Sequence, residues 1–190
     1  MEKILFDYLA HHIDLSDDEK QIIRDLSLIQ SFKKGTILLE EGKKSKDFYF
    51  VLKGCLRRYY LKDGVQRTTE FYTELESLTP VCIIDGSPSA YTISCEEDTV
   101  LLIGNEKNNA EAFARFPRFE SLCRVMSEQL AAKTKTEFDE FKNSTPEERY
   151  LSLVENRPAL LQRVPQHQLA SYLGLTPQSL SRLRKRLIQK

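Results

Sequence analysis

The chain has 190 residues, 41% of them hydrophobic and 29% charged, with acidic and basic groups in equal number. That is enough for one large domain or two modest ones with a real core, and too apolar for wholesale disorder. No stretch approaches the ~18–20 consecutive apolar residues of a membrane span, and Met1-Glu-Lys-Ile-Leu-Phe-Asp-Tyr8 lacks the layout of a secretory signal, so a cytoplasmic location is expected.

Cys55, Cys82, Cys95 and Cys123 form no Cys-x-x-Cys pair, and the three histidines form no His-Glu-x-x-His. A zinc ribbon, a thioredoxin-type site or a catalytic metal therefore has little to build on, and no metal, cofactor or enzyme activity is expected. His11 and His12 read as a solvated helix end. The neutral total charge is unevenly spread: residues 145–190 hold eight Lys/Arg against three Asp/Glu, a net of +5, and the rest of the chain is acidic by the same amount. An acidic body with a basic tail points to a polyanionic partner.

In chain order, residues 2–30 read as helical. Ile4, Leu5, Tyr8 and Leu9 recur at helical spacing, and Ser16 with Glu19 three residues on opens a second helix through Leu26. From Phe32 to about Ile103 the period changes. Segments 36–40, 48–52, 55–61, 67–72, 81–84, 90–94 and 99–103 are short and rich in Val, Ile, Thr, Tyr and Phe, with glycines at 35, 42, 54, 64 and 86 between them. Asp63-Gly64 is a hairpin signal. Short strands at this spacing predict a β-barrel or jelly roll, and with the helices around them an α+β fold.

A long helix is predicted over 117–142. Phe119, Leu122, Cys123, Met126, Leu130 and Phe141 share one stripe with Lys133, Thr134 and Glu137. The stripe either packs on the chain's own sheet or forms a dimer seam through Leu122, Met126 and Leu130. Thr145-Pro-Glu-Glu148 then starts a new helix, with a threonine cap, proline in the first turn and a glutamate to close the capping box. The expected units are a sensor over 1–116, the long helix over 117–142, and a C-terminal unit over 143–190 that begins with Tyr150, Leu151, Leu153 and Val154 as an apolar face.

The most informative segment is Gln166-His-Gln-Leu-Ala-Ser-Tyr-Leu-Gly-Leu-Thr-Pro-Gln-Ser-Leu-Ser-Arg-Leu-Arg-Lys-Arg-Leu187. Leu169, Leu173, Leu175, Leu180 and Leu183 hold the apolar positions of a helix-turn-helix. Ala170 stands where the helices approach closely, and Gly174 where the turn needs a positive φ. Thr176-Pro177 caps the second helix. On that helix Leu180, Leu183, Leu187 and Ile188 share the inward face, and Gln178, Arg182, Lys185 and Gln189 the outward one. Glutamine pairs with adenine and arginine with guanine in a major groove. Gln178 and Arg182 are therefore expected on bases with Ser181 secondary, and Thr176, Ser179 and Lys185 on phosphate. Arg184 lies beside the apolar face and is expected to snorkel.

Taken whole, the sequence resembles the Crp/Fnr superfamily of bacterial transcription regulators. The resemblance is carried by this segment together with Phe32-Lys-Lys-Gly35-Thr-Ile-Leu-Leu-Glu-Glu-Gly42 and Phe48-Tyr-Phe-Val-Leu-Lys-Gly54, the pattern of a cyclic-nucleotide-binding-type β-roll. It implies a homodimer joined by the long helix and paired winged helix-turn-helix units on a palindromic double-stranded DNA operator. RNA polymerase is a further candidate partner. A hinge is expected near Asn143-Ser144. The family's phosphate-binding stretch reads Phe-Gly-Glu-Leu, then Arg-Ser-Ala. Here Tyr72-Thr73-Glu74-Leu75 and Pro88-Ser89-Ala90 stand in those places, with proline for the arginine, which argues against cyclic AMP. Glu74 and Ser89 remain the candidates to line a pocket for another ligand; a roll filled by its own side chains is the alternative. An iron–sulfur cluster would need clustered cysteines, and the first 54 residues have none. The leading function is thus a dimeric, sequence-specific DNA-binding regulator. Its rivals are a cupin-like small-molecule-binding roll, disfavoured by the lack of any histidine in 31–104, and a ligand-free adaptor.

Overall fold

The computed structural model describes residues 1–26 and 28–188, apart from the side chains of Leu28 and Ile188. Two helices open the chain, α1 (Glu2–Ala10) and α2 (Asp17–Leu26). The Ser16 hydroxyl accepts from Glu19 N–H at 3.2 Å while Ser16 N–H donates to the Glu19 carboxylate at 2.9 Å, so the expected capping box starts α2. The helical expectation for residues 2–30 runs too far. Leu28–Phe32 is strand β1, paired antiparallel along its length with β8 (Thr99–Asn105). Pairing with a strand some 70 residues away in sequence overrides the local pattern.

The other strands are β2 (Ile37–Leu39), β3 (Asp47–Lys53), β4 (Leu56–Lys62), β5 (Val65–Tyr72), β6 (Ser77–Leu78) and β7 (Thr92–Cys95). They form two four-stranded sheets, in the orders β1-β8-β3-β6 and β2-β7-β4-β5, closing a roll. Asp63 and Gly64 join β4 to β5 with φ of +53° and +73°, the backbone of a two-residue hairpin turn. Segment 81–84, expected as a strand, is a helical turn, α3 (Val81–Asp85), between Pro80 and a left-handed Gly86 that caps it.

Strand β3 explains the continuous apolar run Phe48–Leu52. Tyr49 and Val51 face the interior between the sheets with Leu39, Leu56, Ile93 and Leu101. Phe50 and Leu52 face outward onto α1, Phe116 and Leu122. Both faces of this sheet are therefore buried. Gly54, which ends the Phe48–Gly54 segment, has φ +107°, and a Cβ there would lie 2.5 Å from Thr99 Oγ1. Only glycine fits that approach.

After α4 (Glu106–Arg115), Phe116-Pro117 starts α5 (Pro117–Asn143), one residue longer than expected. The C-terminal helices are α6 (Pro146–Asn156), α7 (Leu160–Arg163), α8 (Gln166–Tyr172) and α9 (Pro177–Ile188). Thr145 and Glu148 form the capping box of α6. Among the described residues of this unit there is no strand, so the wing implied by the resemblance is not found there.

Candidate nucleic-acid interface

Helices α8 and α9 meet at a tight turn in which Gly174 has φ +71°. Leu169, Ala170, Leu173, Leu180 and Leu183 are buried and Leu175 half-buried, each as its position in the motif requires. That packing turns the other face of α9 outward. Thr176, Gln178, Ser179, Ser181, Arg182 and Lys185 are all exposed, and Arg184 is half-buried beside the apolar face. Thr176 Oγ1 accepts from Ser179 N–H at 3.1 Å, capping α9. Gln189 and the Ile188 side chain lie outside the described residues. Ser179, Arg182 and Arg186 share an open cleft with Thr145, Pro146 and Glu147 at the start of α6, and Glu147 pairs with Arg186.

The junction with the long helix is braced. The Arg149 guanidinium donates to Ser144 O from Nε at 3.2 Å and from a terminal nitrogen at 3.1 Å, and to Leu173 O at 2.9 Å. It also stacks 4.0 Å from the centre of the Phe141 ring. One side chain thus ties the end of α5 to the turn of the helix-turn-helix, across the place where a hinge was expected.

A second set of contacts, not anticipated from sequence, docks this unit on the roll. Arg157 donates to Phe71 O and the Glu76 carboxylate, each at 2.9 Å, and pairs with Glu70 at 3.5 Å. Arg163 donates to both carboxylate oxygens of Glu74, at 2.7 and 2.9 Å, and also pairs with Glu97. The Ser171 hydroxyl accepts from Thr68 N–H at 2.9 Å, satisfying the open edge of β5. Gln168 Nε2 donates at 2.8 Å to Glu96, whose other oxygen accepts from Arg57 at 2.8 Å. Phe71 and Cys55 of the roll share one apolar cluster with Leu153, Leu160, Leu169 and Leu180. Burial pushes the Cys55 thiol up to about 12 and the Tyr172 phenol to about 12. Burial also raises the Glu70 carboxyl, against the pull of Arg157. In Glu74, burial is outweighed by the Arg163 and Gly54 hydrogen bonds, and its carboxyl falls below the usual value. The charge asymmetry along the sequence is the signal for this interface as well as for an external polyanion.

The two residues expected to line a ligand pocket have protein partners. Glu74 holds Gly54 N–H and Arg163. Ser89 is buried, its hydroxyl donating to Tyr91 O at 2.7 Å and its backbone bonded to the turn at Gly42 and Lys43. Glu74 thus serves the junction with α7, and Ser89 braces its own turn. Of the expected seam, Leu122 is buried in its own chain against α1 and Phe50, because the first turns of α5 close the outer face of β3. Met126 is half-buried against the same cluster, whereas Leu130 is exposed. From Ser127 to Asn143 every residue of α5 is exposed, Leu130 by 39%, Phe138 by 56% and Phe141 by 44%.

The roll, the long helix and the helix-turn-helix follow one another along the chain. Residues 29–116 match the family model of the cyclic nucleotide-binding domain. Over most of its length the chain shares the fold of solved structures. The c-di-GMP responsive global regulator CLP of Xanthomonas campestris is 14% identical, with 92% of each chain covered and a TM-score of 0.68. FixK2 of Bradyrhizobium japonicum is 18% identical over 86% of this chain and 85% of its own, with a TM-score of 0.67. The catabolite activator protein of Thermus thermophilus is 18% identical over 92% and 84%, with a TM-score of 0.54. No curated protein matches the chain in sequence. Among the described residues no helix is long and apolar enough to cross a membrane, and no group of His, Cys, Asp and Glu is arranged to hold a metal ion.

Proposed function

We propose that the chain is a sequence-specific DNA-binding transcriptional regulator that acts as a homodimer. The observation that carries the reading is the outward face of α9, where Gln178, Arg182 and Lys185 stand exposed over a packed helix-turn-helix. A helix of this width enters a major groove, and residues of its first turns reach the base edges. Arg182 and Gln178 then carry sequence information, with Ser181 secondary. Thr176 and Ser179 at the capped N-terminus, and Lys185 a turn further on, meet phosphate.

Dimerisation is supported by α5. Seventeen residues of helix outside any core leave Leu130, Phe138 and Phe141 exposed, apolar surface that association can bury. A second copy of α5 covers them, with Met126 and Leu130 at the seam and Leu122 facing its own core. A two-fold dimer implies a palindromic site with half-site centres about one helical turn apart.

The test is a binding titration on duplexes selected from a random pool and on scrambled controls, at several salt concentrations. Arg182→Ala should weaken the selected site by about 1–3 kcal/mol and relax preference at one base pair of each half-site. Lys185→Ala should weaken both duplexes alike and lower the salt slope by about one unit per subunit. If neither substitution changes binding to any DNA, the reading fails.

A further inference from the structure

The C-terminal helices do not hang from α5 as a swinging unit. Arg149 braces them to the end of α5. On the opposite side the roll completes their core with Cys55 and Phe71 and clamps Arg157 and Arg163 with Glu70, Glu74, Glu76 and Glu97. Part of the opposite charge on the two halves of the chain is therefore neutralised internally. The DNA-facing side chains of α9 are left outside this contact, exposed. Docking fixes the direction in which the helix points without covering it.

We propose that Arg157 and Arg163 are positioning residues that lock each helix-turn-helix onto its own sensor roll, and that this docked pose sets the half-site spacing that the dimer accepts. The inference rests on the DNA-binding dimer reading. A unit free to swing must be ordered anew at each binding event and tolerates several spacings. A docked unit is ordered in advance and favours one. Contact between a single α9 and its half-site is the same in both cases.

The test uses the full chain with Arg157→Met and Arg163→Met together, and Arg157→Lys with Arg163→Lys as the variant that keeps the charge. Docking is read from labelling of Cys55, fully buried at the shared interface, against Cys95, which is buried inside the roll. Losing charge-assisted bonds should raise Cys55 labelling in the Met variant about tenfold or more, with Cys95 still protected and the Lys variant in between. On DNA, affinity for an isolated half-site should hold within about twofold, while the preference for the best spacing over one altered by two base pairs should fall about tenfold. The proposal is overturned if Cys55 stays protected, or if Cys55 and Cys95 become reactive together, which marks unfolding. It is also overturned if Cys55 opens with spacing preference unchanged. A wild-type chain that binds no DNA defeats the regulator reading and the spacing role with it, and the Cys55 measurement still decides whether the arginines hold the dock.

Discussion

Replacing Glu96 with alanine should destabilise the protein by about 3 kcal/mol, and the structure shows why. Glu96 and Arg57 form an ion pair at 2.8 Å whose side chains are only 10% and 7% exposed. Removing one partner of a buried pair leaves the other charge uncompensated, at a typical cost of about 3–5 kcal/mol. Arg57 keeps a hydrogen bond to Gln66 at 2.7 Å and its stacking 4.2 Å over the Tyr59 ring, so the lower end of that range applies. Gln168 provides the contrast. Its Nε2 bond to Glu96 is favourable, but its buried Oε1 has no hydrogen-bond partner among the described residues. Gln168→Met loses one term and relieves the other, so it should be neutral within about 1 kcal/mol. Exchanging the pair for apolar groups, Arg57→Met with Glu96→Leu, should be milder than Glu96→Ala alone, because no lone charge is left inside. Urea denaturation followed by far-UV circular dichroism reads all three, with tyrosine rather than tryptophan fluorescence as the second probe, since the chain has eight tyrosines and no tryptophan. A Glu96→Ala loss below about 1 kcal/mol, or a paired exchange worse than the single one, would refute the reasoning.

Gly54→Ala should cost about 2 kcal/mol or more, since both its φ of +107° and the Thr99 contact resist a Cβ, whereas Gly42→Ala, at φ +81° in open space, should cost about 1; thermal melts showing equal losses would contradict this. The carboxyls of Glu74 and Glu148 are held below their ordinary value of 4.5, the latter by the Thr145 backbone and hydroxyl. Their stabilisation is complete above that value and is lost as pH falls through the depressed ones, while half-buried Glu70, shifted upward, acts in the opposite sense and loses its contribution as pH rises through its raised value. The melting temperature should therefore drop as pH is lowered below about 4.5, and Thr145→Ala should blunt the drop; a flat profile in the parent protein would count against these assignments.

What could be read from the sequence is what neighbouring residues decide among themselves. The capping boxes at Ser16–Glu19 and Thr145–Glu148, the Asp63-Gly64 turn, and the motif from Leu169 to Leu183 all depend on backbone geometry within a few residues, and all stand in the structure as expected. The outward face of α9 follows from the same periodicity, since burying Leu180 and Leu183 leaves Arg182 and Lys185 nowhere else to point.

Tertiary structure decided the rest, because the partners are far apart in sequence. Residues 28–32 become a strand only because β8 offers a free edge to pair with. Leu122 and Met126 lie on the same helical stripe as Leu130, yet the outer face of β3 covers Leu122 fully and Met126 in part, and where along the helix that cover ends is not written in the stripe. The motif around Glu74 leaves a ligand pocket and a roll filled by its own side chains both open, and only the fold brings Arg163, 89 residues on, to its carboxylate. A charge count along the chain records that opposite signs exist. Whether they face a polyanion or each other is set by folding, since Coulomb attraction at hydrogen-bonding distance depends on separation in space and on how far water is excluded there.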